Sequence, residues 1–168
     1  SAEDIYFGPF AMHNYGQITN CRNNAAISVP DDASVNKVYV GGITAYNYEE
    51  GSVSGCINTG EMVFRPLKAD GNIFLGGVTA YGMGSVSDSE NYGRFVLEPQ
   101  PETVQNYFIG GISARQAKGV ISGCTNHKEA TITTNASKPS NGYIGGLVGY
   151  HDGSSDINTS KNFADIYC

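Results

Sequence analysis

The side chains able to do chemistry are few and scattered along this 168-residue chain. A structural zinc site draws on cysteines or histidines in close pairs. Cys21, Cys56, Cys124 and Cys168 stand 35, 68 and 44 residues apart, so no metal site is expected. Nucleophilic catalysis needs Ser or Cys beside a His that a third group orients. His13 and His151 fall at equivalent places in distant repeats and His127 follows Asn126 at a turn, so no triad assembles and all three read as surface histidines. Polysaccharide cleavage needs clustered carboxylates, or carboxylates with Arg or Lys on one face. Asp88 and Glu90 in the third repeat lie about two repeats from Asp156 in the fifth, and Arg22, Arg65, Arg94 and Arg115 occupy different places within their repeats. No catalytic residue and no cofactor is therefore expected.

The stretch "YIGGLVGY", Tyr143–Tyr150, offers a phosphate-cradling glycine loop. Such a loop is needed once per domain, between a strand and a helix. Here the pair recurs. Gly8 (followed by Pro9), Gly41, Gly76, Gly110 and Gly145 succeed one another at spacings of 33, 35, 34 and 35 residues. A fixed period in this range signals a solenoid, propeller or array. Each copy holds three short apolar runs bounded by Gly, Asn, Asp and Ser, which reads as strands. None shows a sustained helical period. The expected fold is all-β: a single domain over 1–168, a right-handed parallel β-helix of about five coils with three short strands per coil. The third strand is expected at Ile27/Val29, Met62/Phe64, Phe95/Leu97, Ala130/Ile132 and Ile166/Cys168.

In such a rod equivalent residues stack about 4.8 Å apart, so each position becomes a column. Ile18, Val53, Val86, Ile121 and Ile157 form an aliphatic column, and Phe10, Ile43, Val78, Ile112 and Leu147 another. Met12, Ala45, Ala80, Ala114 and Gly149 form a third, small in four of five copies as a narrow interior demands. Asn23, Asn58, Asn91, Asn126 and Asn162 form the sharpest polar column, expected to be a structural amide ladder. Cys21, Cys56 and Cys124 share a column with Ser89 and Ser160, which reads as core. A Cys21–Cys56 disulfide is open by distance but disfavoured by the geometry of in-register neighbours.

Two aromatic columns remain. Tyr6, Tyr39, Phe74, Phe108 and Tyr143 share a face with Ile43 and Ala45 under strict alternation, and so point inward. Tyr46, Tyr81, Arg115 and Tyr150 then point outward with Thr44, Thr79, Ser113 and Val148, unless a bulge at the glycines reverses the phase. An outward tyrosine stripe can stack on sugar rings or anchor a protein partner, or it can simply close the corner. The long connections "PDDASVNK", "RPLKADGN", "EPQPETVQN" and "TNASKPSNG" read as surface loops on one edge.

The composition carries 22 glycines, 15% charged residues and a net charge of −6. With no basic cluster, a nucleic-acid surface is not expected. With no run of about 18 apolar residues, membrane insertion is not expected either. Neither end carries a polar cap, which suggests a segment of a longer protein, and unpaired strand edges there invite end-to-end self-association.

The last copy, "GGLVGYHDG" followed by "DINTSKN", and the second, "GGITAY…GSVSGCINTG", resemble GLUG repeats. Gly146-Leu147-Val148-Gly149 reproduces the Gly-Leu-x-Gly core, and the other copies carry Ile or Val in place of Leu. The resemblance implies a large bacterial surface or secreted protein, an extracellular location and an adhesin-like, non-catalytic role, with host or matrix glycan or protein as partner. The alternative is a polysaccharide-active β-helix enzyme, a lyase or hydrolase, or its accessory module.

Overall fold

The computed structural model describes residues 3–29, 34–65, 68–69, 71–98, 104–135 and 141–168. About half of the four long connections lies outside the described residues. The chain winds as a parallel β-solenoid in which every paired strand runs parallel to its neighbours. Five sheets run along the rod, each taking one strand from every rung, and a short additional strand, Lys68–Ala69, pairs with the Ser34–Gly41 strand of one of them. In the second rung these are Ser34–Gly41, Thr44–Asn47, Ser52–Ser54, Ile57–Asn58 and Met62–Phe64, and they are numbered here as sheets 1 to 5. The described residues contain no helix, so none is long and apolar enough to cross a membrane.

Each rung thus has five strands, not three. The first apolar run breaks at the glycine pair, and the second breaks at a left-handed corner residue such as Gly55, whose φ is +61°. Both breaks bend the chain without interrupting the apolar pattern, so two strands read as one in the sequence. The fourth rung departs in register: Phe95 pairs with Ile132, not with Ala130. A turn closed by the Ala130 N–H on the His127 carbonyl inserts two residues there.

Three buried clusters hold the rungs together. Val38, Val40, Ile73, Leu75 and Ile109 of sheet 1 pack with Met62, Phe64, Phe95, Leu97 and Ile132 of sheet 5. Ile43, Val78 and Ile112 pack with Val53, Val86, Ile121, Cys56 and Cys124. Tyr39, Phe74 and Phe108 pack with Ala45, Ala80 and Ala114. Asparagines face glycines across the interior. A methyl group on Gly42, Gly77, Gly111 or Gly146 would overlap the amide of Asn58, Asn91, Asn126 or Asn162. The second glycine of each pair is therefore the space into which the ladder fits. The ladder runs unbroken: each Nδ2 donates to the next Oδ1, at 2.9 Å from Asn23 to Asn58, 2.8 Å to Asn91, 2.9 Å to Asn126 and 2.9 Å to Asn162.

All four cysteines are free thiols. Ser89 and Ser160 fill their column by accepting from the Cys56 and Cys124 backbone N–H groups. Burial pushes the Cys124 thiol up to about 11, so it stays protonated at neutral pH and serves as core.

Candidate binding site

The glycine bend decides where the tyrosines point. The N–H groups of Ile43 and Thr44 both donate to the Val78 carbonyl, at 3.0 and 3.1 Å. Val78 and Thr79 share the Ile112 carbonyl, and Ile112 and Ser113 share that of Leu147. Two successive donors on one acceptor mark a bend between sheets 1 and 2 that keeps the rungs in register, and strand alternation does not carry across it. Strict alternation from Tyr39 to Tyr46 therefore fails. Ile43 leaves the face of Tyr39 for a separate cluster, while Tyr39 and Ala45 still pack together. Thr44, Thr79 and Ser113, expected outside, are fully buried. The Thr79 and Ser113 hydroxyls donate to the carbonyls of Tyr81 and Arg115, two residues on.

The inner aromatic column is a continuous stack. Tyr6, Tyr39, Phe74, Phe108 and Tyr143 lie 4.7, 4.6, 4.7 and 4.9 Å apart between centroids, with planes within 6° of parallel. Tyr39, Phe74 and Phe108 are buried. Burial raises the Tyr39 hydroxyl well above the usual tyrosine value.

The outer column leans on this stack. His13, Tyr46, Tyr81, Arg115 and Tyr150 are in register along sheet 2. Tyr46 stacks on Tyr81 at 4.7 Å and 15°. Tyr81 meets Phe74 edge-on at 5.9 Å, and Tyr150 meets Tyr143 edge-on at 5.2 Å. The Arg115 guanidinium sits 5.3 Å from the ring centres of both Tyr81 and Tyr150, within cation–π range of each. Its Nη2 and Nε donate to Asp152 Oδ2 at 3.0 and 3.3 Å. Burial pulls the Arg115 value down, but Asp152 and the neighbouring tyrosines oppose it, and the net shift is upward.

All four residues of the predicted stripe therefore lie in one line. Tyr46, Tyr81 and Arg115 are half-buried, and Tyr150 is 36% exposed. At the Arg115 end the line borders a cleft of about 260 Å³ lined by Asn72, Asn106, Phe108, Arg115, Tyr143 and Tyr150. Asn106 donates to Asn72 at 2.7 Å, and Asn141 donates to Asn106 at 3.2 Å. An aromatic wall, a guanidinium and a row of amides together offer ring stacking beside hydrogen bonding, which is the chemistry a polyol needs.

Two tyrosines extend the surface beyond the predicted stripe. Tyr48 stacks on Tyr15 at 4.0 Å and meets Tyr46 at 4.5 Å with the rings tilted by 35°, and Tyr15 is 61% exposed. Each follows its column member by two residues, Tyr15 after His13 and Tyr48 after Tyr46, a spacing that carried the signal. Burial, as the leading cause, pushes the Tyr46 hydroxyl up to about 12.

A second cluster lies along sheet 4. Glu90 Oε2 accepts from the Tyr92 hydroxyl at 2.7 Å and stands 2.8 Å from His127 Nε2. The Tyr92 and His127 rings stack at 3.8 Å and 8°. Tyr92 and His127 line a cleft of about 440 Å³ with Lys128, Glu129 and Phe163. The Tyr92 hydrogen bond, then His127, holds the Glu90 carboxyl below the usual glutamate value. The sequence reading kept Glu90 and His127 apart because they sit on diagonal positions of adjacent rungs. Among the described residues, no three His, Cys, Asp or Glu side chains converge as a metal site.

No protein-family model, curated protein or solved structure matches the chain.

Proposed function

We propose that this chain is a non-catalytic, extracellular, adhesin-like repeat domain of a bacterial surface protein, a presentation rod that binds glycan or a protein partner through the sheet 2 face. The observation that carries this reading is the aromatic–guanidinium line from Tyr46 to Tyr150, propped edge-on against a rigid stack and bordered by a polar cleft. The resemblance of "GGLVGY" and its companion copies to GLUG repeats supports the surface role. A preorganised aromatic face binds at low conformational cost, because the rings are already fixed by their neighbours.

A glycan array tests it. Binding is expected for the wild-type chain and is expected to fall about tenfold in Tyr150→Ala and in Tyr81→Ala, the loss of one stacked ring. Unchanged binding in both folded variants would sink the tyrosine-face reading.

A second reading, a polysaccharide-active enzyme or its accessory module, rests on the Glu90–His127 pair beside the larger cleft. Product release from a polysaccharide panel, abolished by Glu90→Gln, is the result that would favour it.

A further inference from the structure

The cleft beside Arg115 lies where the outer column of sheet 2 lacks a ring. In the rungs that have one, the outer ring leans on the inner stack. Tyr46 lies 6.2 Å from Tyr39, and Tyr81 lies 6.3 Å from Tyr39 and 5.9 Å from Phe74. Tyr150 lies 5.9 Å from Phe108 and 5.2 Å from Tyr143. Arg115 is in register with Tyr81 and Tyr150 but brings no ring. The groove between the two columns therefore opens at this rung, and the cleft of about 260 Å³ lies there with Phe108 in its wall.

The polar groups that border this cleft are chiefly donors. Asn72 Oδ1 accepts from Asn106, and Asn106 Oδ1 accepts from Asn141. The Asn72 amide N–H groups have no acceptor among the described residues, and Asn106 keeps one N–H to spare. The row begins at Asn72 because the second rung has Lys37 at this place. Of the five guanidinium N–H groups of Arg115, two serve Asp152, and the others have no acceptor among the described residues. Nη1 and the remaining Nη2 N–H form a second parallel fork, the shape that holds a planar carboxylate by two hydrogen bonds. No acidic side chain is among the described residues that line the cleft, in a chain of net charge −6. Asn72, Asn106 and Arg115 belong to the third and fourth rungs, inside the rod.

Building on the glycan reading above, we propose that this cleft takes a carboxylate-bearing pyranose, a uronic acid residue of the bound glycan. The carboxylate meets the free fork of Arg115, while Asp152 holds the guanidinium by its other edge. Ring and hydroxyl oxygens accept from Asn72 and Asn106. The C–H face of the sugar packs against Phe108 and Tyr143. The tyrosine line then supplies contact area, and Arg115 sets which sugar is chosen.

An NMR titration with methyl glucuronide and methyl glucoside, which differ by one carboxylate, tests the assignment. The wild-type chain is expected to bind the glucuronide about tenfold tighter, the worth of one charge-assisted pair. That margin is expected to shrink as salt rises. Arg115→Gln removes the charge and the fork, and the margin is expected to vanish. Arg115→Tyr puts the column's own residue into the gap. It is expected to fold, which circular dichroism checks, and to lose glucuronide binding. Equal binding of the two sugars by wild type, or no binding of the glucuronide, would overturn the acidic assignment. The glycan reading would still stand, because it falls only on the array and the Tyr81→Ala and Tyr150→Ala variants. A preference that survives Arg115→Gln, or glucuronide binding unchanged in Arg115→Tyr, would overturn the assignment as well. So would tighter binding of glucose 6-sulfate than of the glucuronide, since that anion is tetrahedral.

Discussion

At the residue scale the molecule is governed by what one side chain does to the same position one rung away. An asparagine needs a glycine opposite it, a serine replaces a cysteine where only a small group fits, and a guanidinium replaces a tyrosine between two rings. Glu90 shows the same economy across a diagonal, binding Tyr92 in its own rung and His127 in the next. That geometry has a pH signature. A carboxylate whose folded value is lowered adds stability above its unfolded value and loses it as pH falls through the folded value. Tyr92→Phe removes the leading cause of the shift. The Glu90 side chain is more than a third exposed, so the interaction is screened and worth at most about 1 kcal/mol. Wild type is expected to melt above Tyr92→Phe at neutral pH, with the gap closing on acidification below about 4.5. A gap that stays constant with pH would show that packing of the hydroxyl, not the charge, is responsible.

At the element scale the corners decide the fold. Asn20, Gly55, Asp88, Gly123 and Thr159 all hold positive φ, between 47° and 62°, at the bend between sheets 3 and 4. Residues with and without side chains alternate there, so each side chain lies over a glycine. A methyl on Gly55 would stand 2.6 Å from Asn20 Oδ1. Gly55→Ala is therefore expected to cost about 1–2 kcal/mol for the left-handed backbone plus a clash. In an Asn20→Gly background the clash disappears, and the cost is expected to drop by about 1 kcal/mol. Denaturant melts of the four proteins measure this coupling, and additive costs would refute it. This corner marks the limit of what the sequence made legible. Columns of one residue type, such as the asparagines and the stacked aromatics, announce themselves because identity repeats. The corner column mixes Asn, Gly, Asp and Thr, which share only a tolerated or enforced φ, so it read as strand interior and five strands became three. Burial of Thr44, Thr79 and Ser113 was hidden for a related reason: a bend between sheets changes phase without changing composition. Tyr15 and Tyr48 escaped because their column holds only two aromatic members, and the Glu90–His127 contact because it runs diagonally, off the register that pairs Glu90 with Thr125.

At the scale of the whole molecule, a rod in which each rung touches only its neighbours has a stability that sums over rungs and their interfaces, so a rung should be removable when the new neighbours match. One column makes that condition sharp. Asn14 and Asn47 line the bend between sheets 2 and 3, with Asn14 Nδ2 donating to Asn47 Oδ1 at 2.8 Å. The third rung has Gly82 at this place and the fourth has Gln116. Gln116 is one methylene longer and reaches back to the Gly84 carbonyl at 3.0 Å, filling the space that a side chain on Gly82 would occupy. Deleting residues 72–105 places Gly71 before Asn106 and keeps the other columns aligned, since Asn72 and Asn106 are in register. It also sets Gln116 directly against Asn47, where no glycine makes room. Gln116→Asn should therefore change sign with context. In the full chain it leaves a gap over Gly82 and is expected to destabilise by about 1 kcal/mol. In the shortened chain it relieves overpacking and continues an asparagine pair, and is expected to stabilise by a similar amount. The shortened chain should also unfold with a denaturant slope lower by roughly one fifth, in proportion to the surface lost. The same sign for Gln116→Asn in both chains would mean that the rungs do not meet through these columns once one is removed.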